Sequence, residues 1–231
     1  MKIAADFTQR VVVHSAQQPW VDSPIPQVQR KPLDRVGGEV ARATTIVRFA
    51  PGSVFSAHVH GGGEEFVVLE GVFQDEHGDY GPGSYIRNPP QSAHTPYSRE
   101  GCVILVKLWQ FSPDDRIQVR LQIDAAEAAP KQCEGVVQRL LYRDAREDVS
   151  ALILQPGTRY TLSAEGGAEV FVLQGEVRTA KEKLVKYSWL RAPVGDVLTL
   201  EARDSEAKLW IKTGHLRDVA QQIARVQASA D

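Results

Sequence analysis

The sequence predicts an all-β protein of two jelly-roll-like lobes, followed by one short C-terminal helix. Three observations carry this. Its apolar runs are short, rich in Val, Ile, Phe and Thr, and bounded by Gly, Pro or Asp, which is how strands and their turns read. The chain also repeats itself. ALILQPGTRYTLSAEGGAEVFVLQG, residues 151–175, echoes ATTIVRFAPGSVFSAHVHGGGEEFVVLEG, residues 43–71, with Pro156-Gly157 at an offset of 105 from Pro51-Gly52. SWLRAP at 188–193 echoes SYIRNP at 84–89 at an offset of 104, so the second copy is one residue short. Repetition on this scale marks two copies of one architecture. Finally, Leu216, Val219, Ile223 and Val226 recur at intervals of three and four, the period of one apolar helical face.

Taken in order, Val11 to Val13 forms a short strand that belongs to either lobe. Pro19, Pro24, Pro26 and Pro32 then punctuate an extended segment. Proline fixes φ and lacks a ladder donor, so this segment wraps an edge. Thr44 to Phe49 is β-prone, and Pro51-Gly52 turns it back. FVVL at 66–69 is apolar on both faces, so the strand is buried on both sides. Its outer side must be covered by the N-terminal segment or by a second subunit, and a homodimer is expected. DEHGDYGPG, with His77 facing solvent, makes the next reversals. VILVKLWQF follows Gly101-Cys102 as another strand-like run. Ile117, Val119, Leu121 and Ile123 alternate with Gln and Arg, the mark of a half-buried strand. DAAEAAPKQCEG is small and polar and serves as the linker, so the lobes run 1–123 and 124–231. The helix is expected to pack on the second lobe.

Composition excludes several classes of function. The 231 residues carry a formal net charge of −2, which offers no footprint for nucleic acid. No stretch approaches the ~20 apolar residues of a membrane span, and no signal-peptide pattern opens the chain. The two cysteines, Cys102 and Cys133, form no CxxC pair; a reducing compartment, the cytoplasm, is expected. There is no GxxxxGK phosphate loop and no GxSxG nucleophile elbow. Cys102, without a basic neighbour, reads as a small buried hydrophobe.

The chemistry concentrates in GSVFSAHVHGGGEEFVVLEG, residues 52–71. His58 and His60 stand two apart, so an extended strand points both imidazoles to one face. Gly61 to Gly63 turn the chain, and two adjacent glutamates, Glu64 and Glu65, follow. Only one of them can face the histidines, and the apolar run behind them does not say which. GSYIRNPPQSAH, residues 83–94, brings a further imidazole, His94, past a Pro-Pro corner. Imidazoles with a carboxylate are ligands for a first-row divalent metal, and this donor set does not choose among zinc, iron, manganese and nickel.

These residues resemble the cupin pattern. Gly52, His58, His60, Glu64 and Gly71 fit G-x5-HxH-x3-E-x6-G, and Gly83, Pro89 and His94 fit G-x5-P-x4-H, with Gln91 and Ser98 where cupins often have Gly and Asn. GGEEFVVLEGVFQDEHGDY, RNPPQSAHTPYSREGC and VKLWQF are similar to the ChrR-like cupins, named for the C-terminal part of a zinc-binding anti-sigma factor; the likeness covers about Trp20 to Phe111. It implies a bicupin of two double-stranded β-helix lobes. It also implies one divalent metal per chain, zinc first, held by His58, His60, Glu64 and His94, the pattern's spacing selecting Glu64 over Glu65. Ser163, Glu165 and Leu198 stand in the second copy where His58, His60 and His94 stand in the first, so only the first lobe is expected to bind metal. Glu65, Phe66, Val68, Tyr85 and Arg87 are pocket candidates for an unknown small molecule. Tyr85 and Arg87 recur as Trp189 and Arg191, which favours packing for that pair. No general base stands out beyond the ligands; Glu65 is the weak candidate. The resemblance implies a stress-sensing or regulatory cupin. The family's sigma-binding helical domain with its HxxxCxxC cluster has no counterpart in the sequence, so capture of a sigma factor is not expected. The alternative is a non-haem metal enzyme, an oxygenase or small-molecule lyase.

Overall fold

The computed structural model describes residues 1–130 and 133–229. Of the expected linker, Lys131 and Gln132 lie outside the described residues, as do Ala230 and Asp231 at the end of the second lobe. The protein is all-β apart from short 3-10 turns and the helix Val219–Ala228. No described helix is long and apolar enough to cross a membrane. The described residues divide into two compact units: 1–5, 19–122 and 220–229 form the first, and 6–18, 123–130 and 133–219 the second.

In the first unit an antiparallel sheet runs Val28–Gly37, Ala41–Phe49, Cys102–Leu108, Glu64–Gly71, Ser84–Asn88, Val119–Gln122 in spatial order. A smaller sheet contains Phe73–Asp75, Tyr97–Ser98 and Ser53–Val54, and the short pair His58–Val59 with Ala93–His94 stands apart. Strand side chains alternate between faces. Phe66, Val68, Ile86, Ile104 and Val106 therefore meet Phe73 in one apolar interior. The other side of Glu64–Gly71 is buried too: Glu65 and Val67 are each 1% exposed within the single chain. That satisfies the two-sided apolar run without a second subunit. Cys102 lies inside this core, and burial pushes its thiol up to about 11, which leaves it inert.

The second unit repeats the plan. Val136–Arg143, Asp148–Leu154, Ala207–Thr213, Ala168–Gln174 and Ser188–Ala192 form its large sheet, and Val11–His14 completes the edge against Ser188–Ala192. The early β-branched run thus belongs to the second unit. Ile123, at the end of the alternating run, opens a 3-10 turn instead of extending the strand Val119–Gln122.

The helix differs from expectation. It packs on the first unit, not the second. Arg42 Nε donates to Gln222 Oε1 at 2.8 Å, Gln222 Nε2 donates to the Gln110 carbonyl at 3.1 Å, and Arg225 donates to the Phe111 carbonyl at 2.6 Å. Apolar periodicity reports that a helix forms and which face is buried. Here the partner is chosen by polar pairing: Gln222 is fully buried, and only a surface offering matching donors and acceptors can take it.

Candidate metal centre

His58 and His94 sit directly opposite each other on paired antiparallel strands. His60 continues the line: its N–H donates to the Ser92 carbonyl at 2.9 Å, and its carbonyl accepts from Gln91 N–H at 3.0 Å. The chain then turns through Gly63, which has φ +79°, and a Cβ there would lie 2.4 Å from the Phe111 ring. Only glycine meets both demands, and it delivers Glu64 to the first position of the next strand. The three imidazole centroids lie 4.7–5.1 Å apart. Glu64 Oε2 is 3.3 Å from His60 Nε2 and 3.6 Å from His94 Nε2. His60 Nε2 and His94 Nε2 are 3.2 Å apart.

The surrounding hydrogen bonds settle the tautomers. His58 Nδ1–H donates to the Ser56 carbonyl at 3.1 Å, and His94 Nδ1–H donates to Asp75 Oδ2 at 3.2 Å. Ser92 Oγ donates to the Pro89 carbonyl at 2.6 Å, so its oxygen is left to accept from His60 Nδ1–H at 2.9 Å. With each Nδ1 carrying the proton, each neutral imidazole turns a bare Nε2 lone pair to the centre. Two such lone pairs at 3.2 Å repel, and a shared cation reverses the sign. Ligands bound to one first-row metal at roughly 2.1 Å stand about 3 Å apart, so the His58, His60 and His94 cluster can hold such an ion.

Electrostatics agree. Burial alone would raise the Glu64 carboxyl; without a metal, a proton on His60 Nε2 stands in the ion's place, and its hydrogen bond to Glu64, the charge of the protonated His60 and His94 rings and the Asn88 amide hold the carboxyl below the ordinary carboxylate range. Burial likewise opposes ionisation of Asp75, and the bond from His94 outweighs it. Burial lowers the His58 imidazole, keeping it neutral and able to ligate at lower pH than an exposed histidine.

The cluster opens onto a cavity of about 470 Å³, walled by His58, Glu64 and His94 on one side and by apolar groups such as Phe49, Phe55 and Leu108 on the other. Of the pocket candidates, Phe66 and Val68 point inward with Glu64 but belong to the packed core and do not line this cavity. Glu65, Tyr85 and Arg87 lie on the opposite face of the sheet. There Tyr85 Oη donates to Glu65 Oε1 at 3.2 Å and Arg87 pairs with Asp115 at 2.6 Å. They form a buried polar layer and do not meet the cluster. Residues that position the ligands, Asp75, Ser92 and Asn88, carried no signal beyond ordinary turn chemistry. Asp75 lies in a stretch that reads as a polar hairpin loop, and its bond to His94 spans 19 residues. His77, two residues on, is exposed as expected.

The second copy needs a correction of register. By offset, Ser163 and Glu165 align with His58 and His60; the pairing shows otherwise. From Tyr97↔Val54 to His94↔His58 the first unit takes four steps on one strand and three on the other. The matching strands of the second unit pair without a break, with Leu162 opposite Leu198. The residue missing from the second copy therefore precedes the histidine position. Leu162, Ala164 and Ala168 stand where His58, His60 and Glu64 stand, while Ser163 and Glu165 face solvent. Leu162, Ala164, Ala168 and Leu198 all belong to one apolar core. Glu169, not Ala168, is the counterpart of Glu65: it accepts from Trp189 Nε1 at 3.0 Å as Glu65 accepts from Tyr85. The polar layer is thus common to both copies, and the inward carboxylate belongs to the first alone.

Residues 8–112 match the family model of the ChrR cupin-like domain. No curated protein matches the chain by sequence. Among solved structures, a candidate dioxygenase from Nostoc punctiforme superposes with a TM-score of 0.71 at 15% identity, over 92% of this chain and 85% of its own. The bacterial pirin YhhW from Escherichia coli in complex with nickel(II) gives 0.64 at 12% identity, over 89% and 99%. Oxalate decarboxylase from Bacillus subtilis, with its Mn(II) centers, gives 0.61 at 11%, over 88% and 76%. At these identities the likeness establishes the fold alone. With the strand plan, the placement of HxH, Glu64 and His94, and the family match in agreement, the chain has the two-lobed bicupin fold, and its residues 8–112 match the ChrR cupin-like domain.

Proposed function

We propose that the first unit holds one divalent metal ion through His58, His60, Glu64 and His94, and binds a small molecule beside it for metal-dependent turnover, as a non-haem enzyme. The observation that carries this is the cavity: three of the four ligand candidates form its wall. A purely structural site is closed by its protein ligands and has no use for an adjoining cavity of ligand size. A metal held by these residues would supply Lewis-acid chemistry beside the cavity. The chain's own residues do the rest. Asp75, Ser92 and the Ser56 carbonyl hold the imidazole tautomers, Asn88 orients Glu64 through a 3.2 Å bond, and the aromatic wall limits water. The three-nitrogen, one-oxygen set accommodates zinc, iron, manganese or nickel. The two cysteines are free, which suits the cytoplasm.

The ChrR cupin-like match supports a second reading, a stress-sensing regulator in which the cavity admits a signal instead of a substrate. Both readings need an open metal site. Cobalt(II) titration of metal-free protein should show one equivalent per chain, and azide should then change the visible cobalt bands. A cobalt spectrum indifferent to azide would mean a closed, structural site and overturn both. Turnover of a bound compound, or its absence with retained binding, separates enzyme from sensor.

A further inference from the structure

Two arginines on the wall of the cavity remain unexplained by the metal cluster. Arg30 and Arg35 stand five apart on the strand Val28–Gly37, and an unbroken strand would point them to opposite faces. A bulge intervenes. Pro32 pairs with Thr45 and Asp34 with Thr44, so Leu33 is the extra residue and parity resets. Arg30, opposite Val47, and Arg35, opposite Ala43, consequently share the inner face, and both line the cavity.

Neither has an acidic partner. Arg35 spends its guanidinium on the carbonyls of Gly38 and Glu39. Arg30 is half-buried, and among the described residues it makes no hydrogen bond or ion pair. Burial, and then the charge of Arg35, lower its guanidinium from the usual value. Two carboxylates line the same cavity. Glu64 is engaged by the imidazoles and Asn88, and Glu39 is exposed and outside ion-pair range of both arginines. The cavity wall formed by the strand Val28–Gly37 therefore carries uncompensated positive charge next to aromatic surface. Phe49 packs edge-on against Phe55 and Phe73 at 5.1 and 5.9 Å.

We infer that the cavity takes a small carboxylate, its charge held by Arg30 and its apolar body lying against the phenylalanines. The planar guanidinium matches a carboxylate with two parallel donors, and a half-buried position strengthens that bond relative to one in water. This inference rests on the small-molecule reading above and narrows it to a substrate or signal class.

The test uses the full chain loaded with cobalt(II), with calorimetric titration of benzoate and of its neutral isostere benzamide. Benzoate should bind at least about tenfold more tightly, and Arg30→Gln should remove that advantage, a loss of roughly 10- to 100-fold. Cobalt stoichiometry and the azide response should be unchanged in Arg30→Gln. Equal affinity for the two compounds would overturn the inference. So would an unaltered benzoate affinity in Arg30→Gln, or a failure of benzoate, acetate and 3-phenylpropionate all to bind. In each case a preserved azide response leaves the metal reading standing. If cobalt does not bind at all, the metal reading falls instead, and benzoate titrated into metal-free wild type and Arg30→Gln still reads the arginine by itself.

Discussion

The adjacent glutamates Glu64 and Glu65 carry opposite tasks. Glu64 faces two imidazoles. Glu65 faces away, 1% exposed, opposite the equally buried Lys107 across the strands. Glu64→Gln should weaken metal binding by about 10- to 100-fold or more, because it removes the one anionic donor while preserving shape. Glu65→Gln should leave metal affinity unchanged and lower stability by about 1–3 kcal/mol, since it removes the buried charge opposite Lys107 and weakens the acceptor of the Tyr85 hydrogen bond. Metal titration and urea unfolding of the two variants decide this, and equal losses of affinity would refute the assignment. Asp75 acts one bond behind His94. Asp75→Asn should cost about 10- to 100-fold in metal affinity by releasing the imidazole tautomer. Proton linkage has two parts. Metal binding requires neutral imidazoles, so affinity falls as pH drops; the lowered His58 value moves its share of that fall to lower pH than about 6.5. The carboxyls of Glu64 and Asp75 are depressed in the folded state. Their contribution to stability is present above the unfolded values of about 4, and is lost as pH falls through the folded ones. Metal-free unfolding followed from pH 7 down to about pH 3 should show it vanish at the acid end, and Asp75→Asn should flatten that decline.

At the scale of elements, much of the plan was legible because strand period, turn residues and the internal repeat point the same way. That His58, His60, Glu64 and His94 come together was legible for the same reason: the spacing is local to one hairpin and one corner. What was hidden depends on pairing rather than on pattern. A single residue between Val54 and His58 shifts the alignment of the two copies, and only the ladder shows where it lies. The bulge at Leu33 leaves no mark in a proline-punctuated strand, yet it decides that Arg30 and Arg35 face the same way. The helix is the same lesson at larger size. Its periodicity is plain, but its partner is set by Gln222, which answers Arg42 and the Gln110 carbonyl. Gln222→Ala should therefore destabilise the first unit by about 1–3 kcal/mol, through buried groups left unpaired on Arg42 and Gln110. Metal affinity should not change, as the helix does not touch the cluster. A variant with wild-type urea midpoint would show that the helix draws its stability from elsewhere.

Across the whole molecule, the two units share a strand plan and a buried polar layer, and differ in what fills the interior. In the first unit the inward positions are His58, His60, Glu64 and His94 beside an open cavity; in the second they are Leu162, Ala164, Ala168 and Leu198 within a closed core. An apolar interior has neither a lone pair nor a charge to offer a cation, and removing the hydration shell of an ion there would go unrewarded. Metal analysis of the purified protein should accordingly give one equivalent per chain, and His58→Ala combined with His94→Ala should give none. Because metal binds the folded state alone, saturation at about 100 times Kd should stabilise the wild type by about 2.7 kcal/mol and leave the double variant unmoved. The reverse substitution supplies the complementary arm. Leu198→His introduces one imidazole into a core with no second ligand within the pattern, so it should bind no metal and should lower stability by the cost of burying an unpaired polar ring, about 1–3 kcal/mol. A second metal equivalent that survives in the His58, His94 double variant would place a site in the second unit and contradict the division of labour read from the ladder.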